Sequence, residues 1–381
     1  MSDQAMPHLY DVVVIGTGPI GQTAASRARA AGLSVAAVER ELVGGECSYW
    51  ACIPSKAMLR PVVAVADARR VDGARQAVTG PVASGGVFAR RDRYVTDWDD
   101  EGQATALEAL GVELFRGHGR LDGPNRVTVE TSEGQQVRLQ ARHAVALCTG
   151  SLPALPPAAD GTGVRPWTNR EATDSHTVPE RLIIVGGGGV GVEMATAWSG
   201  LGAAVTLLAQ ADGLLPRMEP FVGELIGRSL KEAGVDVRIG VTVTGPQRHG
   251  DRGPVTVGLE DGTKLEADEV LLATGRHPNT DDIGLETVGL TPGSWLEVDD
   301  SCLVRAVDGE WLYALGDINR HALLTHQGKY QARIAGAAIA ARANEQPVDT
   351  AAWGPHAVTA DHHAVPQVFF CDPPAGAVGL T

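Results

Sequence analysis

The strongest constraint on the fold is a βαβ pattern that occurs twice along the chain. The first copy, DVVVIGTGPIGQTAASRARAAGLSVAAVERE, spans 11–41, and the second, RLIIVGGGGVGVEMATAWSGLGAAVTLLAQ, spans 181–210. Each copy has an apolar strand, a glycine-rich turn, an alanine-rich helix and a second apolar strand, which is typical of a buried parallel sheet. The repetition predicts an α/β fold with two Rossmann-like dinucleotide-binding domains.

The first glycine-rich turn has the features of a dinucleotide site. Gly16, Gly18 and Gly21 form a G-x-G-x-x-G motif directly after the strand. The first glycine permits the turn, the second lets backbone approach a pyrophosphate, and the third lets the helix pack on the strand. The phosphates then lie at the helix N-terminus. Glu39 ends the second strand, where an acid binds a ribose hydroxyl. The glycines alone could mark only a tight turn, but the strand, helix and acid together favour a nucleotide site.

The second turn differs from the first at the position of the acid. Gly186, Gly188 and Gly191 repeat the motif, but the residue equivalent to Glu39 is Ala209, followed by Gln210. An acid there would bind the ribose diol of NADH and repel the 2′-phosphate of NADPH. Arg217 is close enough in sequence to bind that phosphate. The sequence therefore favours NADPH at this site, with use of both nucleotides left open.

Two cysteines lie between the first βαβ unit and a predicted helix from Ile53 to Asp72. They occur in GGECSYWACIPSK as Cys47 and Cys52. In a regular helix this spacing corresponds to about 7.5 Å along the axis, beyond the roughly 7 Å that a disulfide allows between Cα atoms. A bridge therefore requires an unwound stretch or a helix start, where Pro54 fits. A helix N-terminus and Lys56 would also lower a thiol pKa. Two buried thiols and half of a metal site remain alternatives, although no second C-x-x-C or C-x-x-H cluster completes a zinc site.

Length and charge limit the class of protein. A chain of 381 residues accommodates two or three domains. The formal net charge of -14 argues against nucleic acid or an anionic membrane as a partner. Five cysteines do not form a disulfide scaffold in a chain of this length. No stretch approaches the roughly 20 apolar residues of a membrane span, and the N-terminus does not resemble a signal peptide. We expect a cytoplasmic protein.

Weaker patterns indicate how the remaining segments are organised. The linker rich in Pro, Gly and Ala at 152–166 predicts a domain boundary. Alternating runs at Arg126–Val129 and Val137–Leu139 predict a small antiparallel insertion in the first domain. The tail VPQVFFCDPPAGAVGLT, 365–381, is typical of the first strand of a further domain.

These motifs together resemble the class I pyridine nucleotide–disulfide oxidoreductases, which include dihydrolipoamide dehydrogenase, glutathione reductase and mercuric reductase. GGECSYWACIPSK resembles the family signature GGTCxNxGCIPSK. Further family motifs follow in the family's order: ALCTGSLP around Gly150, the second nucleotide motif, LLATGRHPNT around Gly275 and LYALGDI around Asp317. The resemblance extends from about Tyr10 to the last residue. Low-molecular-weight thioredoxin reductases, whose dithiol is C-x-x-C, are disfavoured.

The resemblance assigns roles to individual residues. Cys47 is implied to be the interchange thiol that meets a disulfide substrate, and Cys52 the thiol that faces the flavin and gives a charge-transfer interaction. Lys56 is implied to lie near flavin N5 and to pair with Glu193, and Asp317 to hold the ribitol chain. The residues expected to bind FAD are Gly16, Gly18, Pro19, Gly21, Glu39, Arg40, Gly45, Lys56, Gly119, Thr149, Gly150, Ser151, Gly316, Asp317, Leu323, Leu324, Thr325 and His326. Those expected to bind NADH or NADPH are Gly186, Gly188, Val190, Gly191, Glu193, Gln210, Val243 and Gly275.

The resemblance also implies a glutathione-reductase-type domain order. We expect the first part of an FAD-binding domain at 1–155, an NAD(P)-binding domain at 156–280, the second part of the FAD-binding domain at 281–350, and the start of an interface domain at 351–381. In the family, that last domain forms a homodimer and supplies a His–Glu base to the partner's interchange thiol. We expect most of it to be absent here. His321, His326, His356, His362 and His363 are the histidines left to replace the base, with His326 more plausible at the flavin.

The implied function is an FAD-dependent NAD(P)H:disulfide oxidoreductase acting on a small-molecule disulfide or dithiol. Lipoamide, a low-molecular-weight thiol disulfide, Hg(II) and a dithiol natural product remain open as substrates. Ala51 stands where the family usually has Gly, and Tyr49 and Trp50 are bulky, so the wall around the dithiol is altered. The alternatives are a flavin reductase or oxidase acting on quinone, metal ion or oxygen, and a truncated flavin-binding protein without catalysis.

Overall fold

The computed structural model describes residues 6–155, 164–248 and 253–379. Its strands are β1 (His8–Ile15), β2 (Val35–Glu39), β3 (Val112–Arg116), β4 (His118–Leu121), β5 (Arg126–Glu130), β6 (Gln136–Leu147), β7 (Ser151–Pro153), β8 (Arg181–Val185), β9 (Ala204–Ala209), β10 (Asp236–Ile239), β11 (Val243–Arg248), β12 (Val255–Leu259), β13 (Lys264–Ala267), β14 (Glu269–Leu272), β15 (Arg276–Pro278), β16 (Leu312–Ala314), β17 (Pro366–Phe369) and β18 (Ala375–Val378). Its helices are α1 (Pro19–Ala30), α2 (Gly45–Tyr49), α3 (Cys52–Arg70), α4 (Ser84–Tyr94), α5 (Glu101–Ala109), α6 (Asn169–Asp174), α7 (Gly189–Gly200), α8 (Pro220–Glu232), α9 (Thr325–Ala343) and α10 (Thr359–His363).

The first βαβ unit forms the centre of a seven-stranded mixed sheet. The strand order is β3-β2-β1-β6-β5-β4, and β16 pairs with β6. The pairs of β1 with β2 and β6, and of β16 with β6, are parallel, whereas β4, β5 and β6 pair antiparallel. The antiparallel insertion predicted from the alternating runs is confirmed in this way. Val12–Ile15 of β1 and Val35–Val38 of β2 are apolar and buried, as expected of parallel strands that are covered on both faces.

The first turn of α1 lies very close to the end of β1. A Cβ added to Gly21 would lie 1.9 Å from Gly16 O, and Gly16 itself has φ +93°. Only glycine permits both this approach and this backbone conformation. The predicted function of these two glycines, a tight turn and close packing of helix on strand, is confirmed.

The second βαβ unit forms a separate parallel sheet with the order β10-β9-β8-β14. Gly191 and Gly186 repeat the close approach of the first unit, since an added Cβ on Gly191 would lie 1.8 Å from Gly186 O. An antiparallel sheet, β11-β12-β13, follows. The prediction of two dinucleotide-type units in an α/β fold is therefore confirmed.

Helix α3 connects the two units. Its buried residues Met58, Leu59 and Val62 belong to the same apolar core as Trp198 of α7. Gly200 at the end of α7 packs against Val62, so closely that an added Cβ would lie 2.2 Å from Val62 Cγ1. This packing brings the start of α3, which begins at Cys52, to the beginning of α7. The helix predicted from Ile53 to Asp72 is observed as Cys52–Arg70.

The end of the described chain is a small hairpin. Strands β17 and β18 pair antiparallel, and Val368, Phe370 and Val378 of this region are exposed. The predicted strand in the tail is confirmed. Residues 156–163 of the predicted linker lie outside the described residues.

Candidate functional site

The two cysteines lie on either side of a break between helices. Helix α2 ends at Tyr49, and Cys52 is the first residue of α3. Because the chain bends between them, the thiols meet, although the spacing in a continuous helix would keep them apart. Both are free thiols here. Thr325 Oγ1, in the first turn of α9, lies 3.3 Å from Cys47 Sγ and 3.4 Å from Cys52 Sγ.

The pKa values of the two thiols are shifted in opposite directions. The hydrogen bond from Cys47 lowers the pKa of Cys52 to about 6, and Thr325 and the Lys56 charge act in the same direction against burial. The same bond, together with burial, raises the pKa of Cys47. These opposite directions favour a Cys52 thiolate beside a Cys47 thiol, which is the form in which a thiolate is available for redox chemistry.

Lys56 and Glu193 form an ion pair beside the dithiol. Lys56 Nζ lies 2.6 Å from Glu193 Oε2, and the two side chains are 35% and 9% exposed. The backbone N–H of Phe370 donates to the other carboxylate oxygen at 2.9 Å. The Phe370 ring also lies 5.1 Å from Lys56 Nζ. The carboxylate is thus fully hydrogen-bonded, which is necessary for a charge that is almost completely buried.

The dithiol opens into a cleft of about 340 Å³ that follows the first glycine motif. Residues predicted for FAD that line this cleft are Gly16, Gly18, Pro19, Glu39, Arg40, Gly45, Gly119, Thr149, Gly150, Ser151, Gly316, Asp317, Leu323 and Thr325. Cys47 and Cys52 line it too. Gly21, Lys56, Leu324 and His326 do not.

The residues of the cleft fit a dinucleotide. Helix α1 begins there without an acidic residue in its first turn and without a side-chain cap, so its first amides remain available to a phosphate. The carboxylate of Glu39 lies at the same end of the cleft and already accepts from Thr17 and from the Glu41 amide. Thr149 Oγ1 is buried and has no hydrogen-bond partner among the described residues. A buried hydroxyl of this kind is commonly satisfied by a ligand.

A polar network lines the cleft beyond Cys47. Ser151 Oγ donates to Asp317 Oδ2, and Arg276 Nε lies 2.9 Å from Ser151 Oγ. Burial raises the pKa of Asp317, while Ser151 and Arg276 oppose this. Arg276 Nη1 donates to Asn169 Oδ1 at 3.1 Å. Arg276, Asn169 and Arg170 also line the cleft and were not predicted. Arg276 could have been found, because it lies inside the motif around Gly275, but nothing marked the other two.

The residues predicted for the second nucleotide lie around the start of α7. Gly188 caps this helix without a side-chain hydrogen bond, and Val190 in its first turn lines the cleft of the first unit. Gln210 follows β9 and is exposed, as is Arg217. Val243 begins β11, and Gly275, with φ +140°, lies between β14 and β15. The structure thus brings Glu193 and Val190 to the dithiol and leaves Gln210 and Val243 farther along the sheets.

The histidines considered as replacement bases lie elsewhere. His326 Nε2 lies 2.7 Å from Pro366 O, His356 Nδ1 accepts from the Asp349 amide, and His362 Nε2 lies 3.0 Å from Asp300. None of them, nor His321 and His363, is among the described residues that line the cleft. Within the described ranges, no group of three or more His, Cys, Asp or Glu side chains could hold a metal ion. No helix there is long and apolar enough to cross a bilayer.

Comparisons with known proteins agree with this geometry. Residues 10–342 match the pyridine nucleotide-disulphide oxidoreductase family model. A dihydrolipoyl dehydrogenase of Haloferax volcanii is 32% identical over 378 residues, covering 97% of this chain and 76% of that protein. Dihydrolipoyl dehydrogenase 3 of Pseudomonas aeruginosa is 33% identical over 398 residues, covering 98% and 78%. The crystal structure of LpdA from Mycobacterium tuberculosis has a TM-score of 0.81 at 26% identity and covers 98% and 78%.

The chain therefore belongs to the pyridine nucleotide-disulphide oxidoreductase family. Within that class it is an FAD-dependent disulfide oxidoreductase that resembles the dihydrolipoyl dehydrogenases. Its cofactors are FAD and a nicotinamide nucleotide. The resemblance stated from the motifs is confirmed, and so is the glutathione-reductase-type fold class.

Proposed function

We propose that the protein transfers an electron pair between a nicotinamide nucleotide and a small-molecule disulfide through Cys47 and Cys52. The observation that supports this most directly is the bend between α2 and α3, which brings both thiols together at the cleft. The lowered pKa of Cys52 and its position beside Thr325 favour a thiolate in the reduced state. Reduction of a disulfide to this form takes two electrons.

The cofactor roles follow from the same geometry. Gly16, Gly18 and the start of α1 would hold the FAD pyrophosphate, Glu39 a ribose hydroxyl, and Asp317 the ribitol chain. Lys56 would lie at the reactive edge of the flavin. When bound, FAD accepts hydride from the reduced nicotinamide nucleotide and supplies an electron pair to the dithiol. Thr149, whose hydroxyl has no partner in the part of the chain that the structure describes, would complete the site.

The reaction with substrate requires only the two thiols. Cys47 attacks the substrate disulfide, its proton passes to the Cys52 thiolate, and one substrate thiolate leaves. The Cys52 thiol then attacks the mixed disulfide at the Cys47 sulfur. The second substrate sulfur leaves with the proton from Cys52, and the Cys47–Cys52 disulfide forms. The hydrogen bond between the two thiols, which lowers one pKa and raises the other, provides the route for this proton.

Substitution of the cysteines tests this function. Cys47→Ser and Cys52→Ser should each abolish NAD(P)H-dependent reduction of lipoamide and of low-molecular-weight disulfides, while FAD stays bound. Cys302→Ala is the matched control, because Cys302 is buried in the core and does not line the cleft. Disulfide reduction that survives in both serine variants would contradict the proposal and would favour direct transfer from flavin to quinone, metal ion or oxygen.

The nicotinamide nucleotide is proposed to be NADPH. The position that corresponds to Glu39 carries Ala209, so no carboxylate there repels a 2′-phosphate, and the exposed Arg217 could reach it. The ratio of kcat/KM for NADPH and NADH measures this preference. Arg217→Ala should reduce the ratio, and a clear preference for NADH in the unaltered protein would contradict the assignment.

The substrate is proposed to be a lipoyl group or a low-molecular-weight disulfide in the cytosol. The curated relatives are named dihydrolipoyl dehydrogenases, and Cys47 is only partly exposed, which favours a slender disulfide over a folded protein. The rate of reduction should be highest with lipoamide, lower with a small thiol disulfide and lowest with an oxidised protein, because a larger substrate reaches Cys47 less easily. A protein disulfide that is reduced faster than the two small substrates would contradict this proposal.

A further inference from the structure

One short helix just before the second βαβ unit, α6, holds the segment that carries Cys47. Asn169 Nδ2 lies 2.7 Å from Glu46 Oε2 and 2.8 Å from the carbonyl oxygen of Trp50. Arg170 Nε donates to Glu46 Oε1 at 2.5 Å. Glu46 immediately precedes Cys47 within α2. Trp50 directly follows Tyr49, the last residue of that helix. Asn169 and Arg170 therefore contact Glu46 and Trp50, the two residues that flank the short segment containing Cys47.

The Arg170 guanidinium is enclosed by partners on several sides. Its central carbon lies 4.1 Å from the centroid of the Trp50 ring, and Nη2 lies 2.8 Å from Glu41 Oε2. The hydrogen bond from Arg170 lowers the pKa of Glu41. A planar guanidinium can stack on an aromatic ring and bind carboxylates at its edges at the same time, which an ammonium group cannot do. Arg170 thus joins Glu41, Glu46 and Trp50.

Glu46 precedes Cys47 in the sequence and lines the same cleft as both thiols. Its side chain is 23% exposed, so its charge is only partly screened by water. A negative charge close to a thiol opposes thiolate formation unless a cation neutralises it. The family signature has Thr at this position, so the carboxylate departs from that signature and brings a charge that Thr would not.

The charged groups around the dithiol come from every element packed against it. They are Glu41 after β2, Glu46 from α2, Lys56 from α3, Arg170 from α6, Glu193 from α7, Arg276 from β15, Asp317 from the turn before α9, and His326 in the first turn of α9. Lys56 is engaged by Glu193, and His326 is bonded to Pro366. Burial raises the pKa of Asp317, which favours its neutral form. Arg276 is bonded to Ser151 and Asn169. Arg170, which contacts the Glu46 carboxylate directly, is therefore the cation that balances it.

We propose that Arg170 is a positioning residue for the redox dithiol: it neutralises Glu46 and fixes Trp50, and so allows a thiolate to form beside a carboxylate. This rests on the proposed function of Cys47 and Cys52 as a redox pair. Through Glu46 and Trp50, helix α6 would then influence the two thiols that follow the first βαβ unit.

The signs of the expected changes follow from charge. Arg170→Gln leaves Glu46 with the neutral Asn169 amide as a partner and without its cation, so the macroscopic pKa of the dithiol should rise, by about half a unit or more. Glu46→Gln removes the negative charge and should lower it by a similar amount. The double variant removes both charges and should return the pKa close to that of the unaltered protein. A role confined to holding the fold would not produce two shifts of opposite sign.

Alkylation of the reduced, FAD-loaded protein measures this pKa. The protein is reduced with dithiothreitol, transferred anaerobically to a series of pH values and treated briefly with iodoacetamide. Peptide mass spectrometry then gives the modified fractions of Cys47 and Cys52, and the midpoint of the pH profile gives the pKa. Arg75→Gln is the matched control, because Arg75 lies in an exposed ion pair with Asp72, and it should leave the midpoint unchanged.

The outcomes separate the inference from the function on which it rests. Unmoved midpoints, or shifts of the same sign, in Arg170→Gln and Glu46→Gln would overturn the role of Arg170. A midpoint near that of an ordinary thiol, about 8.5, in the unaltered protein would instead count against the redox pair itself. If Arg170→Gln does not fold by circular dichroism, Glu46→Gln and Arg170→Lys supply the test. Arg170→Lys keeps the charge and should keep the midpoint, whereas a large rise would contradict the electrostatic role.

Discussion

Lys56 and Glu193 should be strongly coupled in their contributions to the free energy of unfolding. The size of those contributions follows from the contacts and burial of the pair. Glu193 is 9% exposed and accepts from Lys56 Nζ at 2.6 Å and from the Phe370 amide at 2.9 Å. Lys56→Met leaves the buried carboxylate with one partner. Loss of a partner from a fully buried pair costs about 3–5 kcal/mol. Because Lys56 is 35% exposed and water can enter after its removal, we expect about 2–3 kcal/mol.

The reverse substitution should cost less. In Glu193→Gln the side-chain carbonyl still accepts from Phe370, and Lys56 can turn toward water, so the expected cost is about 1 kcal/mol. In the double variant no buried charge remains unpaired. The two costs should therefore not add, and the coupling energy should be about 1–2 kcal/mol.

Urea denaturation followed by circular dichroism measures these energies. FAD is removed first, so that altered cofactor affinity does not contribute to the unfolding free energy. Arg75→Met removes a cation from an exposed pair and should change the free energy of unfolding by about 0.5 kcal/mol at most. A cost for Lys56→Met no larger than this control, or additive costs in the double variant, would refute the reasoning.

Three further predictions concern the cleft and its thiols. Gly21→Ala should lose most of the bound FAD, measured by flavin absorbance of the purified protein, because the new Cβ would lie 1.9 Å from Gly16 O; normal FAD content would contradict this. The charge-transfer absorbance of the reduced protein should be present at neutral pH and disappear as the pH falls through about 6, because the pKa of Cys52 is lowered to that value and its thiolate is protonated below it; an absorbance that persists well below this pH would contradict the assignment. Thr325→Val should shift that titration to higher pH, since a hydroxyl near both sulfurs is lost, whereas Thr325→Ser should restore it.

The parts of the fold that follow from local patterns were predictable. The two βαβ units depend on glycine spacing and on runs of apolar residues, both of which are visible in a short window of sequence. The start of α3 was predicted within one residue because Pro54 suits a first helical turn. The pairing of Lys56 with Glu193 was predictable only through the family resemblance.

The contacts that shape the site depend on pairings distant in sequence. Arg170 and Glu46 are 124 residues apart, and Thr325 and Cys47 are 278 apart. Local periodicity contains no information on which turns meet in space, so no pattern marked Arg170 or the contact of Thr325 with the two thiols. The place of His326 at the flavin, which the motif suggests, stays a prediction. In the structure its Nε2 lies 2.7 Å from the carbonyl oxygen of Pro366, a contact that no local pattern indicated.

The central claim is that Cys47 and Cys52 form a dithiol that exchanges electrons with the bound flavin. An anaerobic reductive titration with dithionite tests it most directly. The FAD-loaded protein should take up one electron pair more per bound FAD than the Cys47→Ser/Cys52→Ser variant, because the disulfide accepts two electrons and two protons. Equal uptake by the two proteins, with FAD fully bound in both, would contradict the account.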